Sequence, residues 1–178
     1  LERIESTVLR ISGIISNLRT FSADIRNTTA SENSVLAIIE DTLRLCQEKI
    51  RSKGVIISVG PISKDLKVFC LKNQISEVIL NLLINAVDAI EKKDDRWIKI
   101  TVEEKEMYVQ ISITDSGLGI PKENQEKIFQ PFFTTKPAGQ GTGLGLSLSY
   151  DIVKAHGGDI KVDTKEKEGT AFIITLPV

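Results

Sequence analysis

The chain opens on a strict apolar rhythm. Leu1, Ile4, Val8, Ile11, Ile15, Leu18, Ser22 and Ile25 follow one another at alternating steps of three and four. That spacing is the seam of a coiled coil or helical bundle. Ile14 and Phe21 widen it, as a four-helix bundle requires. One such helix cannot bury its stripe alone, so it needs partner helices; packing onto its own domain is the alternative. A polar run over residues 27–34 (NTTASENS) breaks the rhythm and reads as a linker. Helical periodicity resumes over residues 35–52, and Gly54 stops it.

Beyond Gly54 the periods alternate. Short strand-like runs over residues 55–59 and 66–69 precede a long helix over 73–91. Residues 97–103 and 107–114 alternate like paired antiparallel strands. A glycine-rich region covers 117–145, with a short helix predicted after Pro121. Residues 144–156 read as a helix ending at Gly157-Gly158, and 160–164 with 170–176 as a closing hairpin. Helices interleaved with mostly antiparallel strands predict an α/β (α+β) two-layer sandwich over residues 35–178. The predicted organisation is a partial bundle over residues 1–27, a linker over 28–34 and this domain.

Composition narrows the possibilities. An apolar fraction of 41% with 26% charged residues is globular and argues against disorder. Lys and Arg (23) nearly balance Asp and Glu (24), so no broad positive field gathers nucleic acid or acidic lipid. Any anion must be caught locally. Cys46 and Cys70 form no C-x-x-C pair, which argues against zinc and a disulfide framework and for a reducing compartment. No run is long and apolar enough for a membrane span. The chain starts inside a periodic helix and reads as a piece of a longer polypeptide, a cytoplasmic domain whose parent can still be membrane-anchored.

Three segments carry chemistry. On the helix over 73–91, Glu77, Asn81, Asn85 and Asp88 fall within an arc of about 80°, and apolar residues fill nearly all the rest. A surface helix has a broader polar face, so this slot reads as facing a polar ligand. Carboxamide oxygens on adjacent turns suit Mg²⁺, which keeps other positions for water and phosphate. Second, Asp115 ends an apolar strand and runs into Ser-Gly-Leu-Gly-Ile-Pro. A carboxylate there can accept from an adenine amino group while glycines admit the base; a plain turn explains the motif about equally well. Third, Phe129-Gln-Pro-Phe-Phe-Thr-Thr-Lys136 leads into Gly139-Gln-Gly-Thr-Gly-Leu-Gly-Leu-Ser147 at a helix start. Alternating glycines free backbone N–H groups for phosphate oxygens, and the helix terminus adds positive partial charge. Lys136 offers a point charge, and Phe132 and Phe133 can pin a mobile lid. The run is not a P-loop, and because it follows a loop rather than a strand it is not a dinucleotide fingerprint.

In this order the segments resemble the GHKL (Bergerat-fold) ATP-binding superfamily, and within it the sensor histidine kinases of two-component signalling. Residues 77–89 match the N box, 115–121 the first glycine box, 128–136 the F box and 141–147 the second glycine box. Gly169-Thr-Ala-Phe172 is similar to the terminal strand motif, and the opening helix to the second helix of the dimerisation and phosphotransfer bundle. The resemblance implies helices on one face of the sheet, with ATP and Mg²⁺ as cofactors. It implies that Asn85 holds the metal and Asp115 reads adenine. Gly117, Gly119, Ile120 and Thr170 would lie near the base. Asn81, Asp88, Phe133, Thr134, Lys136, Gly141, Thr142, Gly143, Leu144, Gly145 and Leu146 would complete the nucleotide site, under a lid over residues 131–142. Glu77, Asn81 and Lys136 would be catalytic.

In ATPase relatives the position of Asn81 is a glutamate that activates water, and an amide cannot accept that proton. The resemblance therefore implies transfer of the γ-phosphate to a histidine on the bundle, and on to an aspartate of a response-regulator receiver domain, within a homodimer. The sole histidine, His156, precedes two glycines and reads as a helix-terminal residue rather than the acceptor. A GHKL ATPase and a scaffold without chemistry are the alternatives.

Overall fold

A computed structural model describes residues 29–137, 141–165 and 169–178. The predicted bundle helix lies outside the described residues. In chain order the elements are β1 (Ser31–Ser34), α1 (Val35–Ser52), β2 (Ile56–Val59), β3 (Lys67–Cys70), α2 (Lys72–Ala89), β4 (Trp97–Glu104), β5 (Tyr108–Asp115), α3 (Lys122–Gln125), α4 (Gly145–Ala155), β6 (Asp159–Lys165) and β7 (Gly169–Pro177). The five-stranded sheet has the order β2-β4-β5-β7-β6. Among the described residues only the β2–β4 pair is parallel, joined by the crossover through β3 and α2.

The sheet obeys the period of two. Along β5, Val109, Ile111, Ile113 and Asp115 are buried, while Gln110, Ser112 and Thr114 between them are partly open. Ile113 stands opposite Ile100 on β4 and Phe172 on β7; Asp115 stands opposite Ile98 and Thr170. Strand alternation therefore points Asp115 at the core face, among aliphatic neighbours.

Against that face lies α2, flanked by α1 and α4. Ile75, Val78, Ile79, Leu82, Leu83, Ala86 and Val87 are buried at steps of three and four, one broad apolar face, and Glu77, Asn81, Asn85 and Asp88 lie outside it, only partly covered. This is the predicted two-layer sandwich with helices on one face.

One stretch differs from its sequence reading. Within the predicted linker, residues 31–34 form β1, antiparallel to β3. Asn33 Nδ2 donates to the Cys70 carbonyl at 3.0 Å, and the Val35 N–H donates to the Leu66 carbonyl at 3.1 Å. Ser34 Oγ then caps α1 by accepting the Ala37 N–H at 3.4 Å. Local composition disfavours a strand here, and pairing with a distant partner overrides it. Cys46 and Cys70 are buried and unpaired, and burial pushes both thiols up.

Candidate functional site

The end of β5 supplies a buried acid. Asp115 is 3% exposed, and burial pushes its carboxyl up to about 6, while the N–H groups of Gly117 and Thr170 pull it down. Gly117 N–H donates to Asp115 Oδ1 at 2.7 Å. A Cβ on Gly117 would meet that oxygen at 2.5 Å, and one on Gly169, whose φ is +99°, would lie 2.1 Å from the Asp115 carbonyl. Both positions require glycine because backbone closes directly onto the acid. Beside it, Thr164 Oγ1 accepts the Ile120 N–H at 2.9 Å, donates to the Gly169 carbonyl at 3.0 Å and lies 3.4 Å from Thr170 Oγ1. Thr164 thus ties the glycine turn to β7. No motif contains it; its strand register opposite Thr170 is the signal that finds it.

The slot on α2 is next to this turn, since a Cβ on Gly117 would sit 3.6 Å from Ala89 Cβ. One residue before Ala89, Asp88 accepts from Lys136 Nζ at 2.7 Å and pairs with Lys49 Nζ at 3.0 Å. Lys136 Nζ also donates to Asn85 Oδ1 at 3.3 Å. Burial alone would push the Asp88 carboxyl up, but the two ammonium groups outweigh it and hold the carboxyl below its ordinary value. Glu77, half-buried, lies on the same helix one turn before Asn81.

Asn81 faces α4. Its Nδ2 donates to the Gly145 carbonyl at 2.9 Å and to Ser149 Oγ at 3.4 Å. A Cβ on Gly145 would stand 2.8 Å from Asn81 Oδ1, so glycine lets the helix start press onto the N box. Thr142 Oγ1 accepts the Leu144 N–H at 3.4 Å just ahead of that start, and Leu146 packs against the core.

The F box and second glycine box touch directly. A Cβ on Gly143, at φ +69°, would lie 2.4 Å from the carbonyl carbon of Phe132. One on Gly141 would lie 2.7 Å from Thr134 Oγ1. The expected aromatic pins are only partly correct. Phe133 packs against the core, but Phe132 is 56% exposed and adopts a φ of +66°, a strained region for a bulky residue. The second anchor is Phe129, whose ring lies 5.6 Å from that of Tyr150 and 6.5 Å, edge-on, from that of Phe172. Residues 138–140 of the expected lid lie outside the described residues.

His156 has a structural job. Its Nε2 accepts the Leu71 N–H at 3.1 Å, and its Nδ1 lies 2.8 Å from the Ile152 carbonyl. Both ring nitrogens are thereby engaged in joining the end of α4 to the start of α2. A separate cleft of about 560 Å³ opens elsewhere, lined by Met107, Gln110, Lys161 and Thr175 among others, and includes none of the box residues.

The family described as histidine kinase-, DNA gyrase B- and HSP90-like ATPase matches residues 70–178. The chain belongs to this family. Its ATP-binding domain is of the sensor histidine kinase type. It is 33% identical over 175 residues to sporulation kinase E of Bacillus subtilis, covering 98% of this chain and 23% of that protein. It is 38% identical over 174 residues to the signal transduction histidine-protein kinase AtoS of Escherichia coli, covering 94% and 27% respectively. The chain thus spans about a quarter of the length of these curated kinases. Among solved structures, the catalytic domain of histidine kinase ThkA superposes with a TM-score of 0.75 at 38% identity, covering 84% of this chain and 96% of that one. A complex of ThkA with the response regulator TrrA matches with a TM-score of 0.72 at 32% identity, covering 94% of this chain and 49% of that chain.

Proposed function

We propose that this kinase domain binds ATP with Mg²⁺ between the Asp115 turn, the slot of α2 and the lid. In this reading it passes the γ-phosphate to a histidine on a helical dimerisation bundle of the homodimeric parent. The observation that carries the reading is convergence: a buried acid framed by obligatory glycines adjoins an amide, a carboxylate and the lid lysine. Asp115 accepts from the adenine amino group, and the glycines beside it leave the backbone bare for the close approach of a flat ring. Gly119, Ile120 and Thr170 border the base. Gly141, Gly143 and Gly145 bring backbone N–H groups and the start of α4 to the phosphates.

The donor set fits magnesium. Asn85 Oδ1 already accepts from a cationic Nζ, so its lone pairs face a place where positive charge is favoured. Among the described residues no cluster of three His, Cys, Asp or Glu forms a metal cage. Magnesium needs only one or two protein oxygens, since phosphate and water supply the rest. When bound there, magnesium would neutralise charge on the phosphate oxygens.

Lys136 leaves Asp88 for the terminal phosphate, and Glu77 assists proton removal from the acceptor. Asn81 has no basic atom to activate water, and its amide hydrogens are directed at α4. Positioning and charge compensation then supply most of the rate, and hydrolysis stays slow. The complex of ThkA with a response regulator supports a response-regulator partner for this chain too, and in this reading an aspartate of its receiver domain is the final acceptor.

The test supplies a separate bundle fragment bearing the acceptor histidine and follows label from ATP. Acid-labile, base-stable phosphate on the bundle is expected. ATP binding with no labelling would refute the kinase reading in favour of a scaffold, and steady turnover by the chain alone would favour an ATPase.

A further inference from the structure

Asp88 is held by two lysines, and only one of them belongs to a nucleotide-binding box. Lys136, from the lid, meets Oδ2 at 2.7 Å; Lys49, in the last turn of α1, meets Oδ1 at 3.0 Å. Helix α1 lies before residue 70, where the family match begins. Lys49 is 40% exposed and reaches across to the slot of α2.

The charges explain what it does. Asp88 is the acidic member of a slot that must receive phosphate oxygens, and it adjoins Asn85, whose Oδ1 shares Lys136 with it at 3.3 Å. While both lysines are in place, the carboxylate is fully compensated. If Lys136 transfers to a terminal phosphate, Oδ2 loses its partner and the bare carboxylate faces an anion of the same sign. Lys49, still paired through Oδ1, is then the remaining counter-charge. It also weakens the grip of Asp88 on Lys136, because two cations share one carboxylate.

We propose that Lys49 is a positioning residue of the nucleotide site, which neutralises Asp88 from outside the boxes and so frees Lys136 for the terminal phosphate of ATP. The proposal rests on the ATP site described above. Lys49 touches no substrate in this scheme and acts through Asp88.

Calorimetric titration with ATP and Mg²⁺ tests it on four proteins: the unsubstituted chain, Lys49→Gln, Asp88→Asn, and both together. A half-exposed ion pair of this kind corresponds to a change of about three-fold. Lys49→Gln is expected to weaken ATP by about that factor, with the loss shrinking at high salt. Lys49→Arg, which keeps the charge, restores tight binding. In the Asp88→Asn background Lys49→Gln has no effect, because the charge it compensates is gone. Unchanged affinity in Lys49→Gln, or an equal loss with and without the Asp88 carboxylate, overturns the proposal while leaving the ATP site standing. Absence of ATP binding by the unsubstituted chain overturns both.

Discussion

Replacing Asp115 by Asn isolates the cost of keeping a charge under the glycine turn. Burial pushes this carboxyl up to about 6 from an ordinary 3.8. Between those values the folded chain holds a proton that the unfolded chain has released. Stability therefore falls as pH rises through this window, and the cost is complete above it. A shift of about two pH units makes a cost of about 3 kcal/mol at neutral pH, and about half of that at pH 5. Asn carries no charge and escapes the term. It keeps one acceptor for the Gly117 N–H but sets an amide hydrogen against that of Thr170, a loss of about 1 kcal/mol that does not vary with pH. The other carboxylates titrate equally in both proteins, so they cancel in the comparison.

Urea unfolding of both proteins at pH 5 and pH 7.5 gives the quantity directly. The single tryptophan, Trp97, is a suitable reporter, because its backbone N–H donates at 3.1 Å to Oγ of Ser116, the neighbour of Asp115, and so places the residue beside the acid. The stability of Asp115→Asn relative to the unsubstituted protein should rise by about 1 kcal/mol between the two pH values. A difference independent of pH would refute a strained, buried carboxylate at this position. In the same protein ATP should lose its protective effect. ATP at a hundred times its Kd otherwise adds about 2.7 kcal/mol to unfolding.

Two further outcomes follow from the lid and the slot. Gly143→Ala adds a Cβ 2.4 Å from the Phe132 backbone at a φ of +69°, so the lid must detach from the second glycine box. The left-handed conformation alone costs about 1–2 kcal/mol. ATP affinity should fall at least about ten-fold by titration, the equivalent of about 1.4 kcal/mol, and unaltered affinity would contradict the docking of these two boxes. Asn85→Ala removes the amide oxygen expected to hold the metal, so ATP binding should lose its dependence on Mg²⁺; a dependence that survives would move the metal elsewhere.

The sheet and central helix were legible because their signals are periodic. Alternation over residues 107–114 marks β5, and a long apolar-rich run whose polar slot holds Glu77, Asn81, Asn85 and Asp88 marks α2. Obligatory glycines were legible as well, since a residue chosen for close backbone approach leaves its name in the chain. β1 was not legible: four polar residues carry no strand signal, and their partner on β3 lies more than thirty positions away.

By itself the sequence determined where the strands and the central helix run, and it set Asp115 at the end of an apolar strand with glycines after it. Tertiary structure alone decided which partners the side chains meet. It directed Asn81 at the start of α4, gave His156 to the α2–α4 junction, exposed Phe132 in favour of Phe129, and brought Lys49 across from α1 to Asp88. Spacing along a chain sets which face of its own element a side chain occupies, whereas charge pairing depends on which element packs against that face. A burial cost such as that of Asp115 likewise exists only once α2 and the sheet have closed over it.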